Sequence, residues 1–512
     1  MATDEKTKRT GRFYTNKAYA YLIAEKMVKE AVRQLPDGMD YIILDRCAGD
    51  GGMIQCLDDE MLSHCVISSY MPEERKALKE KYAGKVRMII EPNGDLADAL
   101  SEEFLNNSYM RKYIEDDSCA VIMVENPPFS DREAVQNNFR QKEKYEPFVM
   151  KEFKKVKDHF NEPVASYRDL SNLFIWSAFK YYLKKPFDIY IVISPLKYFH
   201  TNNIVDMEME KGFILNKKEF GATPGPIGCI MWKNQKSKKS WKNRKWTLDC
   251  YSVKNEKAKY DGSVTISRAE KTLTPLYDRR KMSSDTNDGI IVGYDGYETH
   301  RKNFVSEHLY NDNIIGYMKP ASFMISNLNK LLVRTTVYTG RGFYLRKDAF
   351  IYYLPFFAAK TYRPSPWYEK ELYVTSSDDG MPYKNDSEFL KQCLIYTCLS
   401  HDNKCVSMYG SDGRLYLNEL CPDRRTEAYR YLSSYVLTVQ ETELICLYND
   451  LIDALSISEN YREEFTYGIY QADKELAESE EDRKKLNEIH KLLQAYYCEL
   501  IVPALFKYHL LK

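Results

Sequence analysis

The 512 residues carry no net charge, since 74 lysines and arginines are matched by 74 aspartates and glutamates. Overall charge therefore offers no attraction to a polyanion, and any nucleic-acid partner must meet a local basic face. No apolar run approaches the roughly 20 residues of a membrane span, and no secretory leader precedes the first motif. A cytoplasmic protein with no membrane partner is expected. The twelve cysteines never form a CxxC pair. Cys393, Cys398 and Cys405 lie closest together, but no matching His/Cys set stands at zinc spacing, so reduced thiols and no metal site are expected. The spaced glycines of a dinucleotide site are missing, and no Gly-Lys-Ser/Thr follows a glycine-rich turn, which excludes a phosphate loop. There is no internal repeat. No paired acids accompany a Glu-x-Lys, so a nuclease activity in this chain is not expected.

What is present is enough chain for two or three cores, with 44% hydrophobic residues and 42 tyrosines, most of them in the second half. Those tyrosines fit either a nucleic-acid surface or aromatic cores. The pattern divides into residues 1–240, 241–410 and 411–512. The first part reads as α/β, the second as short strands among tyrosines, and the third as helices.

The stretch Val121-Ile-Met-Val-Glu-Asn-Pro-Pro-Phe-Ser130 is the most informative. Val121 to Val124 reads as a strand buried on both faces, as in a parallel sheet. Pro127 and Pro128 then stop it by fixing φ and removing two backbone donors. So stiff a turn can be a plain strand exit. It can also hold the Asn126 amide and nearby carbonyls as acceptors beside the flat ring of Phe129. That arrangement suits a planar group carrying an exocyclic amine.

Upstream, Tyr41-Ile-Ile-Leu-Asp45 reads as a second buried strand. It runs into Arg46-Cys47-Ala48-Gly49-Asp50-Gly51-Gly52. A carboxylate at a strand end, followed by small residues and a helix, is how open α/β sheets receive nucleotide-like cofactors. Asp45 as an acceptor for a ligand amine fits S-adenosylmethionine better than a polyphosphate. Before it, Phe13-Tyr14-Thr15 leads into a helix capped by Thr15 or Asn16. Strands are expected over Cys65–Ser69 and Val86–Ile90. The first should end in an acid for a ribose, but Ser69-Tyr70-Met71 intervenes and Glu73 and Glu74 come later, so that ligand is unassigned. Asp98, in the loop after the next strand, is a candidate for an adenine amine.

Taken in order, Phe13-Tyr14-Thr15, Asp45 to Gly51 and Asn126 to Phe129 resemble the N6-adenine methyltransferases of DNA. The match is to the class whose catalytic motifs come first and whose target-recognition domain comes last. The resemblance covers roughly the first 240 residues. It implies a Rossmann-like S-adenosylmethionine-dependent methyltransferase sheet, followed by an α+β recognition domain and a helical end. It implies that Phe13, Tyr14 and Thr15 close over the methionine part of the cofactor. Asp45, Cys47, Ala48, Gly49, Asp50 and Gly51 would hold its amino-acid and sugar side. Asn126 and the Pro127 carbonyl would bind the adenine amine, with Pro128 stiffening the turn and Phe129 stacking. An aromatic near the hairpin of Phe213–Leu215 and Ile227–Trp232 stacks on the base in the family. Phe220 fits by position, as it would fit ordinary core packing. Asn16, where such enzymes often carry proline, is a departure.

The basic run Trp232–Trp246, with Lys242 and Arg244, suits phosphate contact or a solvated linker. Further on, Lys302, Arg334, Arg341, Arg346, Lys347, Lys360 and Arg363 are candidates for reading DNA. Double-stranded DNA is thus the expected partner, bound by a monomer of bacterial or phage origin, with a separate restriction endonuclease possible. The competing readings are a guanine-N2 RNA methyltransferase, a release-factor glutamine methyltransferase, and a non-catalytic DNA-binding subunit. The first two keep the Asn-Pro-Pro-aromatic turn but usually have smaller appendages.

Overall fold

The computed structural model describes residues 13–94, 96–129, 146–156, 169–196, 204–222, 224–238, 244–267, 290–294, 305–309, 313–320, 331–334, 343–362, 365–367, 383–409, 413–476 and 480–511. The chain divides into two compact units. Unit 1 is Met1–Arg268 with Ser365–Leu372, and unit 2 is Ala269–Pro364 with Tyr373–Lys512.

Unit 1 is built on one nine-stranded sheet. Its strands in chain order are β1 (Asp40–Asp45), β2 (Cys65–Ile67), β3 (Met88–Ile89), β4 (Cys119–Glu125), β5 (Ile189–Ser194), β6 (Met207–Asn216), β7 (Pro226–Lys236), β8 (Lys245–Lys254) and β9 (Lys257–Ser267). Across the sheet they run β3-β2-β1-β4-β5-β7-β6-β8-β9. β1 to β5 are parallel, β7 is antiparallel to both of its neighbours, and β8 and β9 extend the sheet past residue 240.

Burial on both faces explains the unbroken apolar runs. Ile42, Leu44, Val121 and Met123 enter one core, while Tyr41, Ile43, Ile122 and Val124 enter the core on the other face. The helix Lys17–Ile23 covers the second face. Asn16 caps it, accepting from the Tyr19 N–H. The helix Leu170–Ser177 is buried along its whole length on the first face, as its apolar run predicts.

Chain direction fixes where a ligand can enter. From β1 the chain goes to β2 and β3 on one side. It then returns to β4 and β5 on the other, so the crossovers diverge between β1 and β4. At such a switch point the helices leave opposite faces of the sheet and a crevice opens beyond the carboxyl ends of the strands. The last residues of these two neighbouring strands are Asp45 of β1 and Glu125 of β4, which runs one position further past the register pair Leu44 and Met123.

Unit 2 contains the ribbon β10–β11 (Ile290–Tyr294, Val305–Leu309) and a sheet ordered β14-β12-β13-β15. The sheet strands are β12 (Ile314–Pro320), β13 (Leu331–Arg334), β14 (Phe343–Arg346) and β15 (Asn403–Lys404). Helices Ser387–Leu399, Val439–Leu455 and Glu480–Tyr496 make up much of the rest. The segment 350–354 reads as a strand from its apolar run. It forms instead the 3-10 turn Phe350–Tyr353, leading into the helix Leu354–Thr361. A short run that is apolar on every side carries no period to tell strand from buried helix. Among the described residues, no helix is long and apolar enough to cross a membrane.

Candidate active site

The crevice at the ends of β1 and β4 is a cavity of about 120 Å³. Phe13, Tyr14, Thr15, Cys47, Ala48, Gly49, Asp50, Asp98, Asn126 and Pro128 line it. These residues come from four separate stretches of chain, each of which the sequence singles out.

Each strand end contributes a polar group buried without a full set of partners. Asp45 is completely buried, and its Oδ1 accepts from the Cys47 N–H at 3.0 Å. Its Oδ2 has no partner. Burial first, and then the charge of Glu125, push the Asp45 carboxyl well above its ordinary pKa. Asn126 is held differently. Its Nδ2 donates to the Phe13 carbonyl at 2.7 Å and to Thr15 Oγ1 at 3.1 Å. Those two acceptors set the amide's orientation, because only the NH2 end can donate to them. Its Oδ1 is thereby left buried and unpartnered. Buried acceptors of this kind are costly when alone, so they mark where a donor from outside belongs.

The turn after β1 needs its glycines. Gly49 has φ +57°, and a Cβ there would lie 3.1 Å from the Tyr14 ring. Gly51 has φ +85°, and a Cβ would lie 2.4 Å from the Tyr82 ring. Tyr14 therefore packs directly over the small-residue turn. Its hydroxyl donates to Glu74 Oε1 at 2.9 Å, and the other Glu74 oxygen accepts from Ser69 Oγ.

Glu74 lines the same cavity and is 8% exposed. It brings a carboxylate to the cavity beside the end of β2, where the sequence places no acid. It sits in the first turn of the helix Pro72–Tyr82, which begins with proline and two glutamates. Acids in a first turn are ordinary for a helix, which hides this one from sequence reasoning. Arg75, next to it, donates to the Ser69 and Tyr70 carbonyls at 2.8 and 2.9 Å, pinning the exit of β2.

Residues 1–160 match the family model described as N-6 DNA Methylase. This segment belongs to the N-6 DNA methylase family. The family implies a methyltransferase whose donor is S-adenosylmethionine. A search of curated proteins found no match. Among solved structures, the chain is similar to the DrdV–DNA complex at 13% identity and TM-score 0.33, over 50% of this chain and 30% of that one. It is similar to the methyltransferase subunit of a type I restriction-modification system from Streptococcus thermophilus at 15% identity and TM-score 0.29, over 48% and 50%. It is also similar to the type IIL restriction-modification enzyme MmeI in complex with DNA, at 11% identity and TM-score 0.35, over 99% and 80%. The chain thus spans half or less of the first two.

In the methylase segment Asp45, Gly51 and Pro127 lie beneath the cavity rather than in its wall. Phe129 stacks on Phe13, with centroids 6.0 Å apart and rings 17° from parallel. Of the two readings open for Phe220, the structure shows core packing. The residue is 3% exposed and packs in the core with its ring 5.6 Å from that of Tyr19, so it presents no open face for a base.

The basic candidates fare unevenly. Arg244 is 4% exposed, with its guanidinium on the Asp206 carboxylate and the Met207 carbonyl, so it is not a surface cation. Lys360 is completely buried. Arg346 is half-buried, its guanidinium 5.5 Å from the centre of the Tyr344 ring. Lys242 and Arg341 lie outside the described residues.

Proposed function

We propose that this chain transfers a methyl group from S-adenosylmethionine to N6 of an adenine flipped out of double-stranded DNA, at specific sites. The reading rests above all on one observation. Two buried, unpartnered acceptors stand at the ends of adjacent strands, Asp45 Oδ2 beneath a single cavity and Asn126 Oδ1 on a residue in its wall. One suits the cationic end of a cofactor and the other the amine of a base.

The residues present fit the cofactor. Asp45 and the turn Cys47 to Gly51 would take its amino-acid side, with Phe13, Tyr14 and Thr15 covering it. Glu74 would accept from the ribose hydroxyls, and Asp98 from the adenine amine. When bound, the cofactor supplies an electrophilic methyl group. The chain supplies position and electrostatics. Extruding a base costs a few kcal/mol, which stacking on Phe129 would offset. The target amine is a weak nucleophile because its lone pair is delocalised into the ring. Asn126 Oδ1 and the Pro127 carbonyl would accept its two N–H bonds and favour the pyramidal form as charge develops. The grip of Phe13 and Thr15 on Asn126 Nδ2 keeps that acceptor aimed, so the segment that covers the cofactor also sets the catalytic amide.

On this reading unit 2 carries the reading of the DNA sequence, and the protein acts in the cytoplasm of a bacterium or as a phage product. Tritiated methyl transfer to DNA, RNA and protein in parallel tests it. Label in DNA, at adenine, is expected. Label only in RNA or protein would replace this reading with the guanine-N2 or glutamine alternative, and no label at all would favour a non-catalytic subunit.

A further inference from the structure

Arg46 and Glu125 are both completely buried, each immediately beside one of the two unpartnered acceptors. Arg46 follows Asp45, and Glu125 precedes Asn126. Their side chains meet as a fork, with Arg46 Nε on Glu125 Oε1 and Nη2 on Oε2 at 2.9 Å. Nothing on either group is idle. Arg46 Nη1 donates to Ser177 Oγ at 2.8 Å, and Nη2 also reaches the Phe174 carbonyl at 3.0 Å. The guanidinium lies 4.4 Å from the centre of the Tyr182 ring. Glu125 accepts in addition from the Arg46 N–H at 3.3 Å and from the Tyr190 hydroxyl at 2.8 Å. The pair therefore ties together the ends of β1 and β4, the start of β5 and the helix Leu170–Ser177, whose Phe174 lines the cavity.

Stability alone is a poor reason for such a pair. Desolvating two ions costs several kcal/mol each, and apolar replacements of similar volume are often neutral or better. Geometry is a better reason, because a misplacement of about 1 Å between reacting groups can cost roughly a hundredfold in rate. We propose that Arg46 and Glu125 are positioning residues that fix the cofactor acceptor of β1 against the base acceptor of β4. This rests on the proposed function for its meaning, but the geometry it asserts can be measured without it.

The test uses the full chain and three variants. Arg46→Lys keeps the charge and loses the fork. Glu125→Gln keeps the shape and loses the charge. The double variant Arg46→Met/Glu125→Met removes both charges at similar volume. Single-turnover methyl transfer, the KM for DNA and the Kd for S-adenosylmethionine are measured beside thermal unfolding. Folded variants are expected to lose about 30-fold or more in the transfer step, while Kd and KM stay within about threefold. A double variant that folds and transfers at the parental rate overturns the proposal, because the pair would then be only filling. Should the parental chain methylate nothing, the proposed function fails and the positioning claim is read from hydrogen–deuterium exchange. Faster exchange confined to residues 119–129 and 45–52 in Arg46→Lys upholds it, and parental exchange there overturns it.

Discussion

Unit 1 buries Arg46 against Glu125, and unit 2 buries Lys391 against Glu441, with all four side chains essentially sealed from solvent. The unit 2 pair is closed. Glu441 Oε2 accepts from Lys391 Nζ at 2.9 Å and from the Thr438 N–H at 2.8 Å, while Oε1 accepts from the Tyr496 hydroxyl at 2.8 Å. Burial works against the Glu441 carboxylate, but these donors outweigh it and hold its pKa below the ordinary range. The same contacts complete the capping box that opens the helix Val439–Leu455. In unit 1 the pair is equally satisfied, but its neighbours Asp45 and Asn126 each keep an oxygen with no partner. A closed charge network is architecture, whereas open acceptors set beside one and beside a cavity are a candidate site.

The largest expected effect breaks the open side. Asn126→Ala removes the acceptor assigned to the target amine and should lower methyl transfer roughly a thousandfold, in the range seen when one oriented catalytic group is lost. Because the same side chain donates to Phe13 and Thr15, stability should also fall by about 1–2 kcal/mol and cofactor affinity should weaken, but by far less than the transfer step. Activity within tenfold of the parent would mean that this amide does not touch the base.

The next effect breaks the closed side. Lys391→Met strands the Glu441 carboxylate in a dry environment and should cost about 3–5 kcal/mol of stability, as for other buried pairs that lose one partner. Methyl transfer per folded molecule should not change. The pH dependence has a definite sign. An acid whose folded pKa is depressed stabilises above its unfolded pKa, about 4.3 for glutamate, and that contribution fades as pH falls through the folded value. Acid unfolding of the parent should therefore steepen below the ordinary glutamate range. The Lys391→Met variant should lose much of that slope.

These contrasts also explain what the sequence could and could not reveal. Asp45 and Asn126 were legible because their chemistry is local. Each ends an apolar strand and opens a turn of unusual composition. The sheet was legible for the same reason, since Val121–Val124 and Tyr41–Leu44 have no polar face to offer solvent. Glu74 was not legible, because it reaches the cavity from a helix and not from a strand end. The Arg46–Glu125 fork was not legible either. Its members stand 79 positions apart, and an arginine after a strand reads as an ordinary turn residue. In unit 2 the tyrosines were ambiguous by composition. Tyr383, Tyr396, Tyr448, Tyr467 and Tyr496 all turn out to be buried, so much of that aromatic content is core.

Asp45→Asn sharpens the comparison from within the site. Losing a charged acceptor for the cofactor should weaken the S-adenosylmethionine Kd about 30-fold, since such bonds contribute around 2 kcal/mol. Stability should move the other way. The folded pKa of Asp45 is raised by burial and by Glu125, so the ligand-free parent loses stability as pH rises from the unfolded value, about 3.9, through the folded one. The asparagine variant lacks that titration. It should unfold at a higher temperature than the parent at neutral pH and show a flatter profile. A variant less stable than the parent at neutral pH would place a partner on Asp45 Oδ2.

Phe220→Leu is the smallest change and the sharpest check on where the site ends. As a core residue against Tyr19 it should cost about 1–2 kcal/mol on truncation to leucine, because the transferred apolar area falls and the remaining space closes only in part. Turnover and the KM for DNA should remain within about twofold of the parent, since no open face of the ring is removed. Thermal unfolding and steady-state methyl transfer measured on one preparation decide the matter. A drop in transfer beyond tenfold without the stability loss would mean that the ring leaves the core when DNA binds and stacks on the extruded base after all. The boundary between architecture and site would then run through Phe220 itself.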